Sequence, residues 1–581
     1  MNLPTPGELG LPQANWRPVQ MYALQLMATR HEPVLCLQGP PGTGKTLVGM
    51  AWARMQQRRL LYTCVTKDLQ AQFVRSFPGL AKEVRGRDNY PTLRRELWPE
   101  VTCDDCDLHG TRCTWCAEPA ECPYRVAKAE ARGAESAALN LAYWLRVANG
   151  PRAEFVVPGR ETRCWHCERD LDASFPVCSA CGWYRCSCGH CAEGCEGGET
   201  RQSWVLCVDE ADELRGVLEG HISVEVPRYW LDRLYIPEPR FQTANVTHQR
   251  QEWLPWFEFA GKRLSEEADK AIEQAASLHG VAKAKRLRTA RRLNDVVASL
   301  DRVYRDVADN PDSWVRGKGA VWHPVDVSRY APDLVWKHTD RALLMSATLP
   351  ESHEEREMFC HRLGLDPTQV GWIDLPCTFP VENRRMYLWP AAKVTYKTKD
   401  TAWPKLVASM DMILDAYPER ALVHTHSYEL QRYVLEHTRH LGRTVAYAQA
   451  SGREEALAKA AAQEGSVLVA PSLTRGVSLD GDLCRCVIVL KIPWPSLDDP
   501  LVKAQYRLPD GKLWYESEAA RTFIQAVGRA NRSETDWADI WILDAEFNRL
   551  WWRLYQWVRE GVITDPSQAV ARLRQKLEGS H

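Results

Sequence analysis

The sequence predicts an α/β fold with two lobes, each built on a parallel sheet, interrupted by cysteine-rich insertions and one helical insertion. The first lobe is indicated by the buried-strand pattern VLCLQ at 34–38, which runs through GPPGTGKT into the helix-like LVGMAWARMQQ. The second lobe is indicated by the strand-like SVLVAPSLTRGVSL at 466–479. The insertions are indicated by cysteines grouped in two short blocks.

Length and composition predict a multidomain, soluble chain. At 581 residues it exceeds what one hydrophobic core supports, so about three or four domains are expected. No apolar run reaches membrane-spanning length and the first residues lack a secretion signal, so we expect a cytoplasmic location without membrane association. There, 20 cysteines favour metal ligation over disulfides. The net charge of −1 excludes a strong overall positive field, so nucleic-acid binding would depend on local grooves.

The segment 39–46 has the spacing of a phosphate-binding loop. Gly39, Gly42 and Gly44 allow backbone N–H groups to close around phosphate, and the helix that follows favours the anion. Lys45 would reach the β and γ phosphates, and Thr46 would supply a hydroxyl to Mg²⁺. A chance glycine-rich turn is the alternative, and the flanking strand and helix argue against it.

The second half of this chemistry is predicted at VLCVDEAD, residues 205–212. An acidic partner for the magnesium ion is needed at the end of a neighbouring strand, and Asp209 would fill that role. Glu210 would orient or deprotonate the water that attacks the γ phosphate. The two motifs together predict an ATP-hydrolysing enzyme.

Two further motifs indicate that a second lobe completes the site. RALLMSATL at 341–349 places Ser346 and Thr348 after an apolar strand. In FIQAVGRANRS at 523–533, helical spacing puts Gln525, Arg529 and Arg532 on one face, where a guanidinium can stabilise the transferring phosphoryl group. The alternative for the two arginines is ordinary ion pairing on a solvated helix face.

In order and spacing, these motifs resemble the XPD and DinG family of superfamily 2 helicases over roughly residues 15–545. RPVQMYALQ at 17–25 is similar to the opening motif of the family, which implies that Gln20 contacts adenine. TKDLQAQF at 66–73 is similar to motif Ia and ALVHTHSYELQ at 421–431 to motif IV. The nucleic-acid contacts that these resemblances imply are Thr66, Gln70, Thr425 and Ser427.

Two positions depart from the family pattern. Asp212 gives DEAD where the family usually has DEAH, a change that related helicases tolerate. Ser478 stands where motif V commonly carries an aspartate, which bears on coupling between the ATP site and the bound strand.

The first cysteine block lies where the family carries its iron-sulfur domain. Four thiolates among its members would complete a cubane cluster, with Cys113, Cys116 and Cys122 resembling the later family ligands and Cys103 or Cys106 the first. The alternative is a closed zinc site made by Cys103, Cys106, Cys113 and Cys116. Both interpretations remain open at the level of sequence.

The second cysteine block has the spacing of a zinc ribbon. Two CxxC pairs are separated by ten residues: Cys164 with Cys167, and Cys178 with Cys181. The following segment adds Cys186, Cys188, Cys191 and Cys195 as candidate ligands of a second zinc, with undecided pairing. This block would either hold a partner protein or nucleic acid, or simply stabilise an insertion without a core.

The predicted organisation, with two RecA-like P-loop lobes, follows from these motifs and the resemblance. Lobe 1 would comprise 1–77, 141–160, 201–221 and 336–375, interrupted by a candidate iron-sulfur insertion at 78–140, a zinc-ribbon-like insertion at 161–200 and a helical, arch-like insertion at 222–335. Lobe 2 would span 376–560, followed by a tail at 561–581.

The resemblance implies an ATP-dependent DNA helicase that moves along single-stranded DNA in the 5′ to 3′ direction and unwinds the duplex, with single-stranded and forked DNA as partners. The expected cofactors are ATP and Mg²⁺ from the phosphate-binding motifs, zinc from the spacing of the cysteines and, by the resemblance, a 4Fe-4S cluster. Two alternatives are an RNA-remodelling helicase, raised by DEAD, and a non-unwinding ATPase switch that docks its zinc modules on a partner protein.

Overall fold

The computed structural model describes residues 3–91, 103, 122–150, 154–156, 162–163, 170–171, 177–178, 200–201, 203–239, 246–449, 452–471, 479, 481–531 and 534–578. Within these ranges the chain forms two α/β lobes.

The strands, in chain order, are β1 (Val34–Gln38), β2 (Arg59–Cys64), β3 (Ala81–Val84), β4 (Ser136–Asn140), β5 (Thr162–Arg163), β6 (Asp170–Leu171), β7 (Val177–Cys178), β8 (Thr200–Arg201), β9 (Trp204–Asp209), β10 (Val224–Glu225), β11 (Trp314–Arg316), β12 (Val321–Pro324), β13 (Ala342–Ser346), β14 (Val370–Asp374), β15 (Met386–Ala392), β16 (Ala421–His424), β17 (Thr444–Ala446), β18 (Val467–Ala470), β19 (Cys486–Val489), β20 (Asp539–Asp544) and β21 (Val562–Ile563).

The α-helices are α1 (Pro18–Ala28), α2 (Lys45–Met55), α3 (Lys67–Ser76), α4 (Pro123–Gly133), α5 (Leu141–Ala148), α6 (Leu214–Ile222), α7 (Arg228–Arg233), α8 (Val246–Ala276), α9 (Gly280–Asp309), α10 (Ala331–Leu334), α11 (His353–Arg362), α12 (Lys399–Ala416), α13 (Tyr428–His437), α14 (Arg453–Ala462), α15 (Pro500–Tyr506), α16 (Gly511–Val527), α17 (Gln556–Glu560) and α18 (Pro566–Glu578).

Lobe 1 is a parallel sheet with helices on both faces. Its strand order is β14-β1-β13-β9-β2-β4-β3, and each neighbouring pair is parallel. Every residue of β1 is buried, and its side chains alternate between two cores: Leu35 and Leu37 pack on one side, Val34 and Cys36 on the other. This burial explains why the strand is a continuous apolar run in the sequence.

Lobe 2 repeats this architecture. Its strand order is β17-β18-β16-β19-β20-β15-β21, again with parallel neighbours. Cores on the two faces of the sheet contain Leu422 on one side and Val423 on the other. The predicted fold of two parallel-sheet, RecA-like lobes is therefore confirmed. In such sheets, ligands bind beyond the carboxyl ends of the strands, which here include the ends of β1, β9 and β13.

Two predicted boundaries are corrected by the sheet pairings. The segment 78–140 is not wholly an insertion, because β3 and β4 are edge strands of the lobe 1 sheet. The segment 561–581 is not a separate tail, because β21 pairs with β15 and the α18 residues Ala569 and Leu573 are buried in the core of lobe 2. Of the added strands, β3 and β21 are only four and two residues long, too short for an apolar run like that of β1.

The region expected to form a helical insertion contains the two longest described helices, α8 and α9, which pack along each other and are joined by residues 277–279. Nearby, β10, β12 and β11 form a small antiparallel sheet. An arch-like role for this region stays a prediction. None of the helices in the described ranges is both long and apolar enough to cross a membrane.

Candidate active site

The predicted phosphate-binding loop connects β1 to α2. Gly42 and Gly44 have φ angles of 78° and 77°, in the left-handed region that glycine adopts without strain. Gly44 is the N-cap of α2, so Lys45 and Thr46 lie in the first turn, where a helix directs backbone N–H groups towards an anion. The Lys45 ammonium donates a hydrogen bond to the carbonyl oxygen of Gly39 at 2.6 Å. The loop therefore has a conformation suited to surrounding phosphate.

Gln20 lies beside this loop. It is 3% exposed, and its side-chain Oε1 accepts a hydrogen bond of 3.0 Å from the backbone N–H of Arg17. A Cβ atom built on Gly44 would overlap Gln20 Nε2, so the amide packs directly against the loop. The expected contact between Gln20 and adenine stays a prediction.

The two acidic residues lie where β9 ends. Burial raises the pKa of Asp209, while a hydrogen bond from Tyr62 and the charge of Lys45 oppose the rise. Burial also raises the pKa of Glu210 to about 7, helped by Asp212 and Asp209. Glu210 has a φ of 56°, a left-handed conformation that non-glycine residues adopt at an energetic cost and that recurs at functional sites. Such a carboxyl group is suited to act as a base near neutral pH.

Asp212 connects the two lobes. Its Oδ2 accepts hydrogen bonds of 2.9 Å from Thr348 Oγ1, after β13, and of 2.9 Å from Gln525 Nε2, on α16 of lobe 2. Ser346 supports this arrangement, since its Oγ accepts a 3.2 Å hydrogen bond from the Thr348 backbone N–H. The structure thus brings together three motifs that are more than 100 residues apart in the chain.

Arg521, which the sequence reasoning missed, also crosses the cleft. Its guanidinium donates to the backbone carbonyl oxygen of Asp212 at 2.6 Å and to Glu213 Oε1 at 3.1 Å, and it also pairs with Glu518. Arg521 lies one helical turn before Gln525. The spacing of four residues between Arg521 and Gln525 places both side chains on one helix face, and this is the sequence signal that predicts a role for Arg521.

The two arginines predicted in the 523–533 motif, Arg529 and Arg532, have different outcomes. Arg529 Nε donates a 2.9 Å hydrogen bond to the Gln525 carbonyl oxygen, and its charge opposes the rise in the pKa of Glu210. Its charge therefore acts on the Glu210 carboxyl from across the cleft. Arg532, like Ser478, lies outside the described residues.

The predicted nucleic-acid contacts separate into two groups. Thr66 and Ser427 are partly exposed N-caps of α3 and α13 and accept hydrogen bonds from the backbone N–H groups of Leu69 and Leu430. Their helices begin at the carboxyl ends of β2 and β16, at corresponding positions in the two lobes.

Gln70 and Thr425 are corrected, because both are completely buried. The Gln70 amide donates to the carbonyl oxygens of Val84 and Ala138, at 3.0 and 2.8 Å. Thr425 Oγ1 donates to the Ser427 carbonyl oxygen at 3.0 Å. These side chains satisfy main-chain groups inside the lobes and do not face a ligand.

Two candidate metal ligands of the first block, Cys103 and Cys122, lie together. Both are buried, and their Sγ atoms are 3.8 Å apart. Burial and the neighbouring Cys103 raise the pKa of the Cys122 thiol, so binding of a metal would displace its proton. Cys106, Cys113 and Cys116 lie outside the described residues.

Little of the second block is described. Cys178 lies in β7, which pairs with β8, while Cys164, Cys167, Cys181, Cys186, Cys188, Cys191 and Cys195 lie outside the described residues. In the described part of the chain, no group of three or more His, Cys, Asp or Glu side chains is arranged to hold a metal ion.

The fold and this site define a class: a two-lobed P-loop protein of RecA-like architecture, in which the acidic motif of lobe 1 contacts the 523–533 motif of lobe 2 across the cleft. The model of the Helicase C-terminal domain family matches residues 410–561, within lobe 2. Over 233 residues the chain is 28% identical to the ATP-dependent DNA helicase YoaA of Haemophilus influenzae, covering 39% of this chain and 34% of YoaA. Over 90 residues it is 31% identical to the ATP-dependent DNA helicase XPD of Sulfolobus acidocaldarius, covering 14% and 16% of the two chains.

Solved structures extend the likeness of fold to nearly the whole chain. An XPD helicase structure superimposes with a TM-score of 0.58 at 17% identity, covering 93% of this chain and 98% of the other. S. tokodaii Xpd4 gives a TM-score of 0.54 at 15% identity, covering 94% and 100%. Together with the domain match and the relatives, these likenesses support the expected similarity to XPD/DinG-type superfamily 2 helicases. The sequence matches span only about a third of YoaA and less of XPD.

Proposed function

We propose that the protein is an ATP-dependent DNA helicase or translocase that moves along single-stranded DNA. The observation that carries the proposal is the hydrogen bond from Gln525 of lobe 2 to Asp212 of lobe 1, in the acidic motif that follows β9. A contact of this kind makes the geometry of the ATP site depend on the relative position of the lobes, which is the requirement for converting hydrolysis into stepping.

The residues of lobe 1 supply binding and proton transfer. Gly44 and the first turn of α2 surround the phosphates, and Lys45, which now donates to the Gly39 carbonyl oxygen, would turn to the β and γ phosphates. The Thr46 hydroxyl and the Asp209 carboxylate are hard oxygen donors that fit Mg²⁺, which would neutralise charge on the phosphates. Glu210, with its pKa raised to about 7, would accept the proton of the attacking water.

The residues of lobe 2 complete the site when the lobes close. Arg529 already acts electrostatically on Glu210, and its guanidinium would stabilise charge developing on the transferring phosphoryl group. Arg532 is proposed to act beside it. Asp212, Thr348 and Gln525 would transmit the state of the nucleotide to the lobe interface.

The strand is proposed to run across both lobes past the N-termini of α3 and α13. Helix N-termini bind backbone phosphates without regard to base identity, as a motor that visits every register requires. Thr66 and Ser427 hold these two helix starts in place. The 5′ to 3′ direction and the use of forked DNA are inferred from the family.

The cysteine blocks are proposed to hold metal. The Cys103 and Cys122 thiols, 3.8 Å apart, are soft donors that fit either an iron-sulfur cluster or zinc, which would stabilise the insertion that they anchor. The second block is proposed as a zinc ribbon that serves as a docking module for a partner.

The test is ATP hydrolysis by anaerobically purified protein, with and without single-stranded DNA, compared with Lys45→Ala. We expect DNA to stimulate hydrolysis and Lys45→Ala to abolish it. Strand displacement on forks with a 5′ or a 3′ tail gives the direction, and a matched RNA strand tests the RNA alternative. Hydrolysis that ignores DNA would contradict the motor and favour an ATPase switch. Iron and zinc analysis of the same sample distinguishes the two metals.

A further inference from the structure

Tyr62 lies behind the site and contacts Asp209, the carboxylate that is proposed to bind magnesium. Tyr62 is on β2, next to β9 in the lobe 1 sheet, and its hydroxyl donates a hydrogen bond of 2.5 Å to Asp209 Oδ2. The other carboxylate oxygen, Oδ1, accepts a hydrogen bond of 3.1 Å from the backbone N–H of Glu210. Asp209 is therefore held at both oxygens, once by a side chain and once by the main chain.

The chemistry of this donor suits a carboxylate that must bind a cation. A lysine or arginine in the same place would neutralise Asp209 and compete with the metal, whereas a phenol is neutral and leaves the negative charge in place. The hydrogen bond fixes the orientation of the carboxylate, which an ion with strict octahedral geometry requires.

The Tyr62 ring is itself immobilised. It is 2% exposed and stacks on Phe73 of α3, with ring centroids 3.9 Å apart and planes inclined by 10°. The hydroxyl thus projects from a rigid aromatic pair to Asp209. None of the motifs read from the sequence includes Tyr62.

We propose that Tyr62 is a positioning residue of the ATP site, which orients the Asp209 carboxylate for the magnesium ion that accompanies the nucleotide. The proposal rests on the proposed function, since it assumes that Asp209 holds that ion. Groups behind a metal ligand commonly set its affinity, and losing one lowers metal affinity or activity about 10- to 100-fold.

The test replaces only the hydroxyl. Tyr62→Phe keeps the ring that stacks on Phe73, and Tyr417→Phe is a matched control because the Tyr417 hydroxyl donates a 2.7 Å hydrogen bond to buried Asp539, in the core of lobe 2. The affinity of Mn²⁺ for the complex with a non-hydrolysable ATP analogue is measured by electron paramagnetic resonance. We expect Tyr62→Phe to weaken Mn²⁺ binding about 10-fold or more and Tyr417→Phe to leave it unchanged.

Activity provides a second readout. The Mg²⁺ concentration that half-saturates hydrolysis should rise in Tyr62→Phe, with most of kcat recovered at high Mg²⁺. In an Asp209→Asn background, Tyr62→Phe should add no further loss of Mn²⁺ affinity. Unchanged Mn²⁺ affinity in Tyr62→Phe would overturn the proposal and leave Tyr62 a packing residue. If wild-type protein bound no nucleotide at all, the proposed function itself would fail, which is a distinct result.

Discussion

Gln70 in lobe 1 and Gln431 in lobe 2 occupy equivalent positions and make the same contacts. Each lies four residues after a hydroxyl N-cap, Thr66 or Ser427, on the first helix after a buried strand. The Gln70 amide donates to the carbonyl oxygens of Val84 and Ala138, and that of Gln431 to those of Tyr447 and Val469. In both lobes one buried amide joins the helix to two neighbouring strand ends.

This role predicts that Gln70→Leu lowers stability without altering the nucleic-acid surface. Removing the amide leaves two buried carbonyl oxygens without their donor, which costs about 1–3 kcal/mol. Urea denaturation measures the loss, with Gln72→Leu as control because Gln72 is exposed on the same helix. The affinity of the folded fraction for single-stranded DNA should match wild type. A selective loss of DNA affinity at unchanged stability would restore Gln70 as a contact residue.

The Gln70 result illustrates what the sequence can and cannot specify. The phosphate loop and the acidic strand end are predictable because their chemistry depends on residues close together in the chain, and the two lobes because buried parallel strands are continuous apolar runs. The direction in which a polar side chain points depends on strands far away in sequence, such as β3 and β4 for Gln70. The roles of Arg521 and Tyr62 likewise depend on contacts with residues far away in the chain, Asp212 and Asp209.

The conformation of the phosphate loop predicts a specific defect in Gly44→Ala. Alanine at a φ of 77° is strained by about 1–2 kcal/mol. In addition, its Cβ would overlap Gln20 Nε2 and lie 2.5 Å from an Arg17 guanidinium nitrogen, so the loop or the opening motif must shift. We expect binding of a fluorescent ATP analogue to be lost or severely weakened.

Gly79→Ala is the control that separates backbone strain from steric overlap with a neighbouring side chain. Gly79 has a φ of 79°, but nothing lies within 4 Å of its Cβ position. The Gly79→Ala protein should lose a similar amount of stability because of backbone strain, while its affinity for nucleotide should equal that of wild type. Equal nucleotide affinity in both variants would mean that the packing of Gln20 on the loop is unimportant for binding.

The contacts of Arg521 across the cleft predict a coupling defect in Arg521→Met. Hydrogen bonds from a charged donor contribute about 1.5–3 kcal/mol each, so their loss should reduce docking of the lobes about 10-fold or more. We expect DNA-stimulated ATP turnover to fall accordingly, while nucleotide binding to lobe 1 is retained. The control is Arg572→Met, which breaks an ion pair of 2.7 Å with Asp539 inside lobe 2. Equal losses of turnover in the two variants would reduce Arg521 to a general stabilising residue.

His424 predicts a pH-dependent stability of lobe 2. It is completely buried at the end of β16, its ring Nε2 lies 3.2 Å from the Ala526 carbonyl oxygen, and burial lowers its pKa from 6.5 to about 4, with a smaller contribution from Arg529. As the pH falls below 6.5, the unfolded chain binds a proton that the folded protein rejects, so stability is lost between pH 6.5 and about 4.

The expected loss attributable to His424 is about 2 kcal/mol between pH 7 and pH 5. His424→Gln retains a donor for the carbonyl oxygen but does not titrate, so its unfolding free energy should decline less over this interval, and the difference between the two slopes isolates His424. The neighbouring His426, whose pKa is lowered by burial and by the charge of His424, titrates in both proteins, so only the part of its shift that His424 causes enters the difference. Parallel pH profiles would mean that the imidazole of His424 is already protonated or solvated in the folded state.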